Sequence, residues 1–349
     1  MRFLSILLTA LLSIVPGGVI ARARAQQAVY VSPQGDDSAS GRTPQTAFRS
    51  LERAGAAVRS GNASTVYLME GIFRRSSPFV IAPSPRPQRW IAAPGAQPVL
   101  DGGNKTGQAL MVTGHDVTVQ GLRIVNFTDN GIVVSDADGV TIRDNVVRHI
   151  ASPGWTRAAI LVVQVAKNVT VEANDVADTG YVGIGYFASA GGNLRGVRIT
   201  DNRLARTCLR VADCGAIYVS GRTPTANGAI IRGNRIRDYG PSGGEAKAIY
   251  LDDGLSGAEV SRNVISGQGT YALQIHGGSD NLIVGNVINL PLGQPVLFYQ
   301  QKEDGSSQAM ANNRMSGNVV RAPGQPKLNV KFGGRGSGLI LGQNRIEVP

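Results

Sequence analysis

Ile231-Arg232-Gly233-Asn234-Arg235-Ile236 is one copy of the motif that decides the fold. Apolar-x-x-Asn-x-apolar, most often with Ile or Val at both ends, returns around Asn145, Asn174, Asn202, Asn234, Asn263, Asn286, Asn318 and Asn344. Neighbouring copies lie 23 to 32 residues apart. A repeat of that length is one supersecondary unit that buries its apolar face only against its neighbours, so the chain reads as a solenoid.

Each repeat opens with a short apolar run such as Gly215-Ala216-Ile217-Tyr218-Val219, Lys247-Ala248-Ile249-Tyr250-Leu251 or Tyr271-Ala272-Leu273-Gln274-Ile275. These runs predict strands. A Gly/Asp/Ser turn follows, then a second short strand, then the Asn. No repeat carries a helical period, which excludes ankyrin and tetratricopeptide units, and the Leu spacing of a leucine-rich repeat is missing. The expected fold is all-β, a parallel β-helix. Rungs of such a coil stack about 4.8 Å apart, so the Asn column is expected to form a structural hydrogen-bonded ladder. Val140, Ile142, Val169, Val171, Val197, Ile199 and Ile230 are expected to point into the core.

Residues 1–25 hold Arg2, an apolar stretch and the small-residue ending Ala23-Arg24-Ala25, the pattern of a cleavable export signal. Its loss would remove three arginines and no acid, lowering the formal charge from +11 to +8. The expected location is therefore periplasmic or extracellular. No later segment reaches transmembrane length. A basic exported protein suits anionic partners, but the arginines are scattered rather than massed among aromatics, which argues against nucleic acid. Cys208 and Cys214 suit a disulfide after export, or a pair of buried thiols.

Residues 26–108 differ from the repeats of 109–349. Helical spacing from Thr46 to Val58, stopped by Ser60-Gly61-Asn62, predicts a helix that caps the open end of the coil. The stretches Tyr30 to Asp37, Val66 to Phe73 and Pro94 to Gly102 resemble the entry coils of secreted right-handed parallel β-helix proteins of the pectate lyase-like superfamily. That resemblance implies a right-handed coil. A narrower likeness, in Ala248 to Gly257 and Leu273 to Asn281, is to β-helical glycoside hydrolases acting on xylose- or fucose-containing glycans; there an Asp ending the strand equivalent to Asp252 does chemistry.

With Ile217, Val219, Ile249, Leu251, Leu273 and Ile275 inward, alternation sends Tyr218, Tyr250, Gln274 and Phe298 outward in one row. Ser220, Asp252, His276 and Gln300 form the next row, with Arg222 and Lys302 beyond. Such a face suits a polysaccharide, including an acidic one: rings stack on Tyr and Phe, hydroxyls bond Gln, carboxylates pair with Arg or Lys. Asp213 and Glu245 sit at equivalent positions just before these strands.

Glycoside hydrolysis needs one ionised and one protonated carboxyl. Asp252 is the first candidate for nucleophile or base, Glu245 or Asp253 for acid, and His276 would tune Asp252. This chemistry needs no cofactor. Uronate elimination or epimerisation is the alternative, with Lys247, Arg222, His276 and Tyr250 supplying base, neutraliser and proton donor. In that reading Asp252, Asp253 and Glu245 could hold calcium. A glycan-binding rod without catalysis is the third reading, and the sequence leaves the oligomeric state open.

Overall fold

The computed structural model describes residues 27–151, 154, 157–188, 196–221, 228–240, 245–301, 310–334 and 337–349. The expected export signal at 1–25, and Arg222 and Lys302 of the expected glycan face, lie outside these residues. Among the described residues, strands assemble into three parallel sheets of twelve, ten and eleven strands. Successive rungs pair in order, so each full coil gives one strand to each sheet. The coil of Ala246–Asp252, Glu259–Ser261 and Val264–Ser266, for instance, is followed by that of Tyr271–His276, Leu282–Val284 and Val287–Asn289.

The corner between the twelve- and eleven-stranded sheets has a constant build. From Asn145 to Asn318 the residue before the ladder Asn takes a left-handed backbone, as at Asp144 (φ 55°), Asp201 (φ 55°), Gly233 (φ 70°) and Gly285 (φ 67°). Asp and Gly tolerate that conformation well and fill five of these positions, while Ala173 and Arg262 adopt it without that advantage. The Asn then turns into the coil. Asn145, Asn202, Asn234, Asn263 and Asn286 are wholly buried. The Asn202 side chain donates to Val171 O at 2.9 Å and to Asn234 Oδ1 at 3.0 Å, while its backbone N–H donates to the same oxygen at 3.0 Å. The column runs unbroken from Asn145 to Asn344. A second, shorter ladder joins Asn281 to Asn313.

The core is a narrow stack of aliphatic side chains that includes Val140, Ile142, Val169, Val171, Val197 and Ile199 as expected. Ile230 is the exception. Ala229 and Ile231 point inward and Ile230 outward, because its strand pairs Ile231 with core residues Ile199 and Val260 on either side. Helix Leu51–Arg59 starts at Ser50, whose side chain accepts from Arg53 N, and packs Leu51, Ala54, Ala57 and Val58 onto the first rungs. It caps the coil, and no helix among the described residues is long and apolar enough to cross a membrane.

Candidate functional site

Through the middle rungs, chain length varies on only one side of the coil. The turn between the twelve- and eleven-stranded sheets is two residues from Asp144-Asn145 to Gly317-Asn318, whereas the connections into and out of the ten-stranded sheet range widely, from Thr179–Val182 to Gln300–Asn313. Binding and catalytic residues gather where variable loops meet a rigid scaffold, which directs attention to the ten-stranded sheet.

Its outer face carries the expected row. Tyr218, Tyr250, Gln274 and Phe298 are in register on four successive rungs. The sequence did not foretell their burial: Tyr218, Tyr250 and Gln274 are only 6%, 3% and 2% exposed. Tyr218 and Tyr250 lie in a second apolar cluster outside the coil, with Leu161, Tyr181 and the Cys208–Cys214 disulfide. Tyr218 and Tyr250 stack at 4.5 Å between ring centres, and Phe187 meets Tyr218 edge-on at 4.9 Å. Gly185 stands in register with Tyr218, and a Cβ there would lie 2.8 Å from the Phe187 ring, so its bare backbone admits that ring.

Strict alternation from Ile249 would place Lys247 inside the coil. Instead Ala248 and Ile249 both enter the core, a break of phase that leaves Lys247 outside. Its ammonium lies 4.4 Å from the centre of the Tyr250 ring and donates to Asp213 Oδ1 at 2.8 Å. The lysine is 2% exposed, so the carboxylate and the ring replace its water.

Asp252, in the next outward row, ends its strand. Its side chain is 8% exposed and both oxygens are engaged. Tyr218 donates its hydroxyl to Oδ2, while Oδ1 accepts from Asp253 N at 2.7 Å and lies 2.7 Å from His276 Nδ1. Burial first, and then the Asp252 charge, push the Tyr218 and Tyr250 phenols well above the ordinary tyrosine range, so both stay protonated. Ser220 donates to Asp253 Oδ2 at 2.7 Å, which fixes the second aspartate.

The structure thus brings together Asp252, Asp253, His276, Tyr218 and Tyr250. Glu245 stands apart: it is exposed, its carbonyl accepts from Cys214 N, and its charge bears on Lys331. Among the described residues no three His, Cys, Asp or Glu side chains gather as a metal-holding group. Gln274 donates to Gln300 at 2.9 Å, and its own carbonyl oxygen is buried with no hydrogen-bond partner among the described residues. Phe298 continues the row to Lys331, whose ammonium donates to Tyr271 OH at 2.7 Å and lies 4.9 Å from the Phe298 ring. Phe187, Tyr271 and Lys331 escaped the sequence reading; the register of Lys331 with Phe298 is the signal that finds it.

A protein family described as a right handed beta helix region matches residues 108–288, more than half of the chain. The chain belongs to this family. With the ladder and the three sheets, this establishes a right-handed parallel β-helix. No curated protein matches it. Among solved structures, it is similar to the GH136 lacto-N-biosidase from Eubacterium ramulus, with 13% identity, a TM-score of 0.64, and 94% of this chain and 69% of that one covered. The A-module of mannuronan C-5 epimerase AlgE4 from Azotobacter vinelandii has 14% identity and a TM-score of 0.60 over 85% and 90% of the two chains. An alginate lyase from Paenibacillus sp. str. FPU-7 has 16% identity and a TM-score of 0.56 over 83% and 97%. At these identities the likeness establishes the shared coil.

Proposed function

We propose that this β-helix protein is an exported polysaccharide-active enzyme whose reaction centre is the Asp252–His276 pair. The observation that carries the proposal is the 2.7 Å contact between Asp252 Oδ1 and His276 Nδ1 on a face lined by Tyr218, Tyr250 and Gln274. A His that donates Nδ1–H to an ionised Asp keeps its lone pair on Nε2, where it can take a proton. The His276 side chain is 23% exposed, open enough to meet substrate.

Proton transfer is the chemistry this arrangement supports best. Both Asp252 oxygens are occupied by donors, so Asp252 orients His276 rather than attacking substrate. On a uronate-containing glycan, His276 would remove the proton α to the carboxylate, leading to β-elimination or to epimerisation. The alginate lyase and the mannuronan epimerase on the same coil fit this reading. Glycoside hydrolysis is the second reading, favoured by the adjacent, separately anchored carboxylates of Asp252 and Asp253.

Incubation with uronate-containing and neutral polysaccharides separates the readings. Elimination creates an ultraviolet-absorbing unsaturated end, hydrolysis a reducing end without that absorbance, and epimerisation takes up solvent deuterium without chain scission. A panel that yields none of these products would reduce the protein to a glycan-binding rod. Export is tested by the N-terminus of secreted material, expected at Gln26.

A further inference from the structure

The eleven-stranded sheet, away from Asp252, carries a basic groove of about 320 Å³ lined by Arg148, Arg203, Arg235, Arg237, Asp175 and Ser266 among others. That volume falls at the lower end of small-ligand sites, about 300–1,000 Å³. Arg203 and Arg235 are direct register partners on adjacent rungs, about 4.8 Å apart. Like charges directly opposite on a sheet repel. Solenoid sides usually relieve this with a carboxylate, and here the nearby acids are already committed. Asp175, in register with Arg203, holds Arg148 at 2.8 Å; Asp178 holds Arg206 at 2.6 Å; Asp238 holds Arg237 at 2.8 Å. Among the described residues, Arg203 and Arg235 have no acidic partner. Between the groove's arginines the floor is Ala205, too small to cover the guanidinium groups.

We propose that this groove is a second, non-catalytic glycan site that binds anionic polysaccharide, with Arg203 and Arg235 each taking a carboxylate or sulfate on neighbouring sugars. The rung spacing is close to the length of one pyranose along an extended chain, so a polymer bearing one anion per sugar presents its charges in step with the two arginines. A guanidinium fork pairs with either anion through two parallel hydrogen bonds. The Ser266 hydroxyl, which also lines the groove, can meet a sugar hydroxyl. No aromatic ring lines the groove, so it offers nucleic-acid bases no stacking platform. The site is independent of the reaction assigned to Asp252 and would stand if that assignment failed.

The test is affinity electrophoresis through polygalacturonate, dextran sulfate and neutral dextran, with the folded protein and three variants. The double variant Arg203→Gln/Arg235→Gln is expected to lose about tenfold or more in affinity for the anionic polymers, with dextran retarding neither protein. Arg198→Gln/Arg314→Gln, an equal loss of charge on the twelve-stranded sheet, should change affinity by less than about twofold. Asp252→Asn, which is expected to keep its glycan retention, should bind as wild type does. Polygalacturonate and dextran sulfate together tell carboxylate from sulfate preference. Equal losses in the two arginine pairs would mean net charge alone, and no loss in the first pair would mean no site. A groove pair that binds short duplex DNA more tightly than either polymer would assign the surface to nucleic acid. A first pair that fails to fold would make those arginines structural. Each of these four results overturns the proposal.

Discussion

His276 Nδ1 and Asp252 Oδ1 meet at 2.7 Å across two neighbouring rungs, at the end of a row of buried tyrosines. A carboxylate so placed holds the imidazole in one orientation and one tautomer. Asp252→Asn preserves the shape and removes that control, so turnover on the substrate polysaccharide should fall by about 10²–10⁴-fold, with folding and glycan retention kept. Initial rates and a thermal melt check this together. Turnover equal to wild type would remove the pair from the mechanism.

The raised phenols of Tyr218 and Tyr250 set the alkaline behaviour of the fold. In the unfolded chain these tyrosines lose a proton near pH 10, while in the folded protein they keep it. Above that pH the native state binds more protons than the unfolded state, so stability present below about pH 10 declines as pH rises. Melting temperatures across the alkaline range should fall more steeply for wild type than for Tyr218→Phe. Equal slopes would mean that burial of Tyr218 adds nothing to the linkage.

Asn234 lies mid-ladder, wholly buried, and serves both neighbouring rungs. Replacing it with alanine strands the Asn202 donors and the Ile199 carbonyl. A cost of about 2–4 kcal/mol is expected in urea unfolding. Asn344→Ala, at the partly exposed last position of the ladder, should cost about 1 kcal/mol or less. Similar losses at both sites would show that the ladder is not what couples the rungs.

Cys208 and Cys214 are joined over a sequence separation of six and pack beside Tyr218 and Tyr250. Cys208→Ser/Cys214→Ser should destabilise the protein by about 2 kcal/mol, as expected for so short a loop. A reductant should lower the melting temperature of wild type and leave that of the double variant unchanged.

The coil was legible because its signals repeat. One amide every rung can be read without knowing any contact, and the row of Tyr218, Tyr250, Gln274 and Phe298 follows from a period of two anchored on Ile217, Ile249, Leu273 and Leu297. Where the period lacks an anchor, the reading fails. Ala229-Ile230-Ile231 is apolar throughout and carries no phase of its own, so only its neighbours fix Ile231 as the inward residue. Ala248-Ile249 breaks the phase outright and turns Lys247 to the outside. Burial of the tyrosine row depends on contacts between distant parts of the sequence, such as Phe187 on Tyr218, which no single repeat displays.

The two-residue corner that carries the Asn column has a consequence for how such a chain can change. It works as a ruler: a duplicated or deleted unit that keeps this corner restores the alignment of everything after it, whatever is spliced into the opposite flank. New side-chain arrangements can thus be tried beside Asp252 without renegotiating the scaffold.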